Sequence, residues 1–115
     1  MTKLNYSLKE GVLSVNGKAI ELPYPSVQAI DFQGLIIARV EPAIGEIYNR
    51  NIFALDRSGE IKWQIVESPH GAEADKPYTS ISVTDTNELV AGNWNGVDYV
   101  VALGSGFIST KSFNK

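Results

Sequence analysis

Residues 51–65 read NIFALDRSGEIKWQI, and this stretch decides the fold. Two β-prone runs, 51–56 and 60–66, flank the short segment Arg57-Ser58-Gly59. Loops of this length that contain glycine commonly join the two strands of a β-hairpin. The stretch therefore predicts an antiparallel hairpin at the centre of the chain.

The same pattern continues in both directions along the chain. Short runs rich in Val, Ile, Tyr, Phe and Thr alternate with turn residues, as in antiparallel hairpins. Asn16-Gly17 is the strongest of these turn signals, because a type I′ turn needs positive φ at both central residues. No convincing helical window is present, so we predict an all-β protein with an antiparallel meander of about 9–11 short strands. The runs are 3–9, 12–16, 18–22, 26–32, 35–40, 51–56, 60–66, 78–84, 88–94, 97–103 and 107–113.

Three turn glycines recur at nearly constant spacing. Gly11, Gly59 and Gly106 are 48 and 47 residues apart, and each follows an aromatic or apolar run. An interval of this size indicates one supersecondary unit copied in tandem. Four antiparallel strands per roughly 45 residues is the size of a β-propeller blade. The spacing predicts two blade-like four-stranded repeats, with the ends of the chain supplying part of a third unit.

The stretch 51–65 resembles the blade signature of quinoprotein-type β-propellers, the family that includes pyrroloquinoline quinone enzymes. In that signature an aromatic residue, Ala, Leu and Asp lead into a glycine turn and a strand bearing Trp. Residues 99–110, YVVALGSGFIST, are similar, although Gly104 replaces the Asp and no Trp follows Gly106. The resemblance concerns the fold and carries over no cofactor residue.

The resemblance implies structural roles for Asp56, Gly59 and Trp63, which set the turn and pack one blade on the next. A closed propeller contains roughly 4–8 blades, whereas this chain supplies little more than two. The meanders could pack as a sandwich, close as a barrel, or assemble across chains. We expect a compact barrel or sandwich, because an apolar content of 43% fills one core.

Composition limits the class of protein. The 115 residues fit a single domain, 1–115, and the net charge of −3 includes no basic stripe, so no nucleic-acid partner is expected. Cysteine is absent, which excludes disulfides and thiolate metal sites. No apolar block has the length of a signal peptide core or a membrane span. We expect a cytoplasmic protein without membrane contact, either monomeric or paired through a strand edge.

The sequence contains no motif for catalysis, metal or cofactor binding. His70, the single histidine, lies near Glu73 and Asp75 in an aperiodic loop, which is a poor scaffold for fixed catalytic geometry. Residues 56–60 and 85–88 resemble fragments of calcium loops but lack the spacing of an EF-hand. Asp and Asn at such positions usually hydrogen-bond their own backbone in a turn. We therefore expect no enzyme activity, no cofactor and no metal.

Aromatic and polar residues near loop junctions are the candidate binding residues. Trp and Tyr exposed on a rigid sheet provide contact area for protein partners or sugars. Trp63 lies in an alternating strand and is expected in the core, whereas Trp94 precedes the Asn95-Gly96 turn and is expected to be partly exposed. The candidates are Tyr48, Arg50, Asn51, Trp94, Asn95 and Tyr99.

Several function classes follow from these residues. The leading hypothesis is a small non-enzymatic interaction module, of the inhibitor or immunity type, that binds a protein partner. A carbohydrate or small-ligand domain using Trp94, Tyr99 and nearby asparagines is the alternative. A subunit of a larger propeller-like assembly is a further alternative, and a hydrolase with dispersed carboxylates is the least favoured.

Overall fold

The computed structural model describes residues 6–69 and 74–113, and these residues form eleven β-strands and no helix. The predicted all-β class is therefore confirmed. The strands are β1 (Tyr6–Lys9), β2 (Val12–Val15), β3 (Lys18–Ala19), β4 (Ser26–Phe32), β5 (Leu35–Val40), β6 (Ile52–Leu55), β7 (Ile61–Gln64), β8 (Tyr78–Val83), β9 (Leu89–Asn93), β10 (Val97–Val101) and β11 (Ile108–Phe113).

The strands form three antiparallel sheets, each a simple meander. Sheet 1 has the order β1-β2-β3, sheet 2 the order β4-β5-β6-β7, and sheet 3 the order β11-β10-β9-β8. Within each sheet every strand pairs with the strands that adjoin it in sequence, and short turns make most of these connections. Sheets 2 and 3 each carry a bulge in their first strand, at Val27 and Thr79.

The turn chemistry of the sequence explains the hairpins. Asn16 and Gly17 have φ values of 52° and 80°, as the predicted type I′ turn requires. In the turn after β6, Asp56 Oδ1 accepts hydrogen bonds from the backbone N–H groups of Ser58 and Glu60 at 2.9 and 3.0 Å. Hydrogen bonding, led by the Ser58 hydroxyl, lowers the pKa of the Asp56 carboxyl. The carboxylate thus closes the turn, as expected for an Asp at this position.

Sheet 2 lies between the other two sheets and is buried on both faces. One face of sheet 2 packs against sheet 3 in a core that contains Ile37, Trp63 and Tyr99. The other face packs against sheet 1 in a second core that contains Leu13, Ile36 and Leu55. Strand β6, with all four residues buried, contributes side chains to both cores. The burial of Trp63, 7% exposed, confirms its predicted core position.

The predicted alternative of a closed barrel and the predicted count of two repeats are wrong. Within the described residues no closed barrel forms, and there are three sheets instead of two repeats. The apolar side chains fill two separate cores, because sheet 2 is apolar on both faces and accepts a neighbouring sheet on each. Stacking therefore buries the apolar surface without closing a barrel.

The repeat glycines are also reassigned by the topology. Gly59 and Gly106 occupy the turns before the last strands of sheets 2 and 3, β7 and β11. The corresponding turn of sheet 1 contains Gly17, whereas Gly11 lies one turn earlier. The three described strands of sheet 1 consequently match the last three strands of the other sheets, and the described residues contain no equivalent of β4 and β8 in sheet 1.

Candidate interaction surface

The longer connections between strands lie at one end of the three stacked sheets, together with the short turns 10–11 and 94–96. We call this end the loop face; its described segments are 10–11, 20–25, 41–51, 65–69, 74–77 and 94–96. Backbone hydrogen bonds join these segments, from Glu41 N to Pro25 O at 3.0 Å and from Trp94 N to Pro77 O at 2.9 Å. The short turns before β7 and β11 leave the opposite ends of β6 and β10.

Asn51 holds the loop face together from inside. Its side chain is 0% exposed and lies between sheets 2 and 3. Asn51 Nδ2 donates to Val40 O at 3.0 Å and to Tyr78 O at 2.9 Å, and Asn51 Oδ1 accepts from Tyr78 N at 2.8 Å. The amide therefore satisfies backbone groups of both sheets and fixes the start of β8 relative to the end of β5.

A cleft of about 340 Å³ opens beside this buried amide. Its lining combines a turn after β5 with the start of β8, and three of its side chains are carboxylates. The lining residues are Arg39, Glu41, Pro42, Ala43, Ile44, Gly45, Glu46, Asn51, Asp75, Pro77, Tyr78 and Thr79.

Arg39, the one cationic residue in the described lining of the cleft, is bonded to neighbours within the protein. Arg39 NH1 forms an ion pair with Glu41 Oε2 at 3.1 Å, and Arg39 Nε donates to Gln28 Oε1 at 3.1 Å. Gln28 in turn bonds both backbone groups of Ile81, with Nε2 2.8 Å from Ile81 O and Oε1 3.2 Å from Ile81 N. This network joins the first strands of sheets 2 and 3. It also fixes the Arg39 side chain in the wall of the cleft.

Large apolar side chains project into solvent around the cleft. Ile44 is fully exposed and Ile47 is 56% exposed, although both lie in a loop whose backbone is pinned at each end. Trp94 is 64% exposed, as predicted from its place before a turn, and adjoins the cleft through its backbone bond to Pro77. Exposed apolar residues grouped around a cleft are characteristic of recognition surfaces.

Tyr48 and Arg50 brace the loop 41–51, Tyr48 against the core with sheet 1 and Arg50 against the end of β7. The Tyr48 ring packs edge-on against Tyr24 with centroids 4.9 Å apart, and Tyr48 OH accepts from Gln64 Nε2 at 2.9 Å. Arg50 Nε donates to Ile65 O at 2.9 Å. Tyr24 OH also donates to Glu46 Oε2 at 3.0 Å, which links this aromatic pair to the rim of the cleft.

Comparison with known families assigns the chain to a family for which no activity is described. A family model described as a domain of unknown function (DUF7957) matches residues 1–113. The chain belongs to the DUF7957 family. No curated protein and no solved structure matches it. The function of this DUF7957 chain is therefore argued from its own surface.

The predicted binding residues of the DUF7957 chain divide into exposed and internal groups. Trp94 and Arg50 are exposed on the loop face, and Tyr48 is half-buried there. Asn51 and Tyr99 are internal, at 0% and 1% exposure, and a partner cannot reach them. We therefore leave these two residues out of the proposed binding surface.

Asn95 belongs to the same internal polar group as Tyr99. Asn95 Nδ2 donates to Ser68 Oγ at 2.9 Å, and the Ser68 hydroxyl is hydrogen-bonded to Tyr99 OH. Asn95 Oδ1 also accepts from Val97 N at 2.9 Å, which shapes the turn into β10. Its amide is thus engaged in holding residues 66–69 against sheet 3.

Sequence reasoning missed Ile44, Glu41 and Asp75 as part of a surface. Ile44 stands between Pro42 and Gly45, where neither strand nor helix can bury it, and this placement was an available signal of exposure. The convergence of Glu41 and Asp75 carries no local signal, because 33 intervening residues separate them along the chain.

Within 6–69 and 74–113, no group of three or more acidic, histidine or cysteine side chains is placed to hold a metal ion. No helix capable of crossing a bilayer occurs there. His70 and Glu73, considered above, lie outside the described residues.

Proposed function

We propose that this DUF7957 chain is a small non-enzymatic interaction module, of the inhibitor or immunity type, that binds a protein partner through its loop face. The observation that carries the proposal is the set of exposed apolar side chains, Ile44, Ile47 and Trp94, around a cleft on a backbone fixed by buried hydrogen bonds. Preorganised loops lose little conformational entropy on binding, and this raises affinity. The absence of cysteine is compatible with the reducing cytoplasm, which we propose as its compartment.

The surface chemistry supports protein recognition better than sugar recognition. Protein interfaces combine a few aromatic and aliphatic anchors with a polar rim, and Trp94 and Ile44 beside the carboxylates of the cleft have this composition. A sugar site was predicted to use Tyr99 beside Trp94, but Tyr99 is internal. Trp94 alone provides one stacking platform, so the protein partner is the favoured ligand.

The proposal is tested by quantitative capture from native cell extract with tagged protein. We expect one stoichiometric partner, and we expect Ile44→Ser and Trp94→Ala each to weaken its binding by about tenfold, since anchor residues account for most interface energy. Phe107→Ser is the matched control, because Phe107 is 65% exposed but lies at the other end of β10 from Trp94. A partner that the control loses and the loop-face variants retain would contradict the proposal.

A subunit of a larger propeller-like assembly is a second candidate. Gly59 packs on Ile20, the residue after the last strand of sheet 1, and Gly106 packs on Trp63 in the last strand of sheet 2. A side chain at the corresponding Gly17 would meet no described atom within 4 Å. This pattern leaves a position before sheet 1 where a further sheet could pack. Light scattering decides between the candidates, since the assembly requires a discrete multiple of the 12.5 kDa protomer mass.

A further inference from the structure

The cleft of the loop face has a charge pattern that identifies what it binds. We propose that it accepts a cationic side chain, arginine or lysine, from an extended basic segment of the partner; this inference rests on the proposed interaction function. Among the residues that the structure describes, three carboxylates, Glu41, Glu46 and Asp75, line the cleft, and Arg39 is the one cationic residue of the lining.

The charge of Arg39 does not neutralise the cleft. Its side chain is only 13% exposed and is shared between Glu41 and Gln28, whereas the Glu41 side chain is 60% exposed. Glu46 receives one hydrogen bond, from the neutral Tyr24 hydroxyl, and Asp75 is exposed. The solvent side of the cleft is therefore negative, and it attracts a cation and repels an anion.

The apolar part of the lining suits the rest of such a side chain. Pro42, Ala43, Ile44 and Pro77 border the same cleft as the carboxylates. Lys and Arg bury their aliphatic stems along apolar surface while the charged end remains with polar groups. Ligand clefts hold roughly 300–1,000 Å³, and the volume of about 340 Å³ here fits one side chain with its adjoining backbone better than a folded element. An extended segment presents its side chains in this way.

The partner segment would be steered to the cleft by the charge of the whole chain. The net charge is −3, and residues of the cleft contribute an excess of negative charge at a single location. Rim charges of this kind mainly raise association rates and make binding depend on salt. The rim aromatic and aliphatic residues would then contact the neighbouring residues of the segment.

Titration of the full chain with short capped peptides tests the inference, with ¹⁵N–¹H correlation spectra as the readout. The probes are Ala-Gly-Arg-Gly-Ala, its Lys analogue and its neutral citrulline analogue. We expect the Arg or Lys peptide to shift the amides of the non-proline residues in 41–46 and 75–79. We also expect the apparent affinity to fall about threefold or more when ionic strength rises from 0.01 to 0.15 M, where the Debye length shortens from 30 to 8 Å. The Arg and Lys arms identify the preferred cation.

Matched variants separate the cleft from general negative charge. The triple variant Glu41→Gln, Glu46→Gln, Asp75→Asn should weaken the cationic peptide at least about threefold, since each unit of charge at the rim contributes modestly. The control, Glu21→Gln, Glu60→Gln, Asp31→Asn, removes the same charge from exposed carboxylates outside the cleft and should leave the titration unchanged.

Every result decides for or against the cationic site. Equal shifts with the citrulline peptide, no shifts, shifts outside the cleft, or equal losses in the two triple variants would overturn it. Shifts of the same amides by Ca²⁺ but not by either cationic peptide would overturn it in favour of a metal site. If both triple variants capture the partner and Trp94→Ala does not, the proposed function stands and the cationic site is overturned. If the cationic peptide binds the cleft but no partner is captured, the proposed function is overturned and the cationic site stands.

Discussion

At the residue scale, Asn51 shows how one amide can join two sheets. Its three hydrogen bonds to Val40 and Tyr78 all reach backbone groups in a dry interior. A buried backbone group that loses its partner costs about 1–3 kcal/mol. We expect Asn51→Ala to lower the free energy of unfolding by about 3 kcal/mol, measured by urea denaturation.

The control for this prediction is Asn49→Ala. Asn49 bonds Glu67, Ala74 and Lys76 from a less buried position, where water replaces a lost partner. Its loss should cost about 1 kcal/mol or less. Equal losses for the two variants would contradict a special role for Asn51.

Asn51 also marks a limit of what the sequence predicts about the site. Its neighbours in IYNRN suggested an exposed polar surface, and Arg50 does lie at the surface. Asn51 is buried because its side chain meets β8, which begins 27 residues later. Polar composition predicts a binding surface and a buried hydrogen-bond bridge equally well, since both need donors and acceptors. Trp94 was predictable because the adjacent turn restricts how far its side chain can be buried.

At the element scale, the turns before β7 and β11 make the contacts that stack the sheets. A methyl group at Gly106 would lie 2.6 Å from Trp63 Cε3 and 3.2 Å from the carbonyl oxygen of Gln64. Trp63 cannot turn aside freely, because its Nε1 donates to Leu103 O at 2.7 Å. The Gly106 turn must therefore keep its glycine for packing as well as for its φ of 78°.

We expect Gly106→Ala to destabilise the chain substantially more than Gly17→Ala. Both alanines would have positive φ, which costs about 1–2 kcal/mol, but a methyl group at Gly17 meets no described atom within 4 Å. Overpacking at Gly106 should add about 1–3 kcal/mol. Urea unfolding of the two variants checks the difference, and equal destabilisation would contradict the stacking role of this turn.

The elements themselves were largely predictable, and their equivalence was not. Each of the eleven predicted runs contains one strand of the structure, since dipeptides such as Asn16-Gly17 fix where a strand ends. The spacing of the glycines pairs Gly11 with Gly59 and Gly106. In the structure, however, the residue of sheet 1 that corresponds to these two glycines is Gly17. Spacing along the chain cannot reveal this difference. The described part of sheet 1 has three strands and the other sheets have four, so corresponding turns do not recur at a constant interval.

At the scale of the whole molecule, sheet 2 makes the two cores depend on each other. Its faces supply Ile37 and Trp63 to one core and Ile36 and Leu55 to the other. Removing either outer sheet would expose a face of sheet 2 to water, at about 25 cal/mol for each Å² of apolar surface. Partial unfolding of one core is therefore opposed by the other.

This dependence predicts one cooperative unfolding transition. The variants Leu13→Ala and Ile81→Ala test the two cores separately. Leu13 lies in the core between sheets 1 and 2, and Ile81 lies in the core between sheets 2 and 3. Each should lower the free energy of unfolding by about 2–5 kcal/mol, because a cavity replaces buried methyl groups. In a Trp94→Phe background, which leaves Trp63 as the one tryptophan of the sequence, fluorescence reports the sheet 3 core, while far-ultraviolet circular dichroism reports all three sheets. We expect the two signals to show the same denaturation midpoint in both variants. In Leu13→Ala, a dichroism change that precedes the fluorescence change would instead show that sheet 1 unfolds alone, and that sheets 2 and 3 form an independent unit.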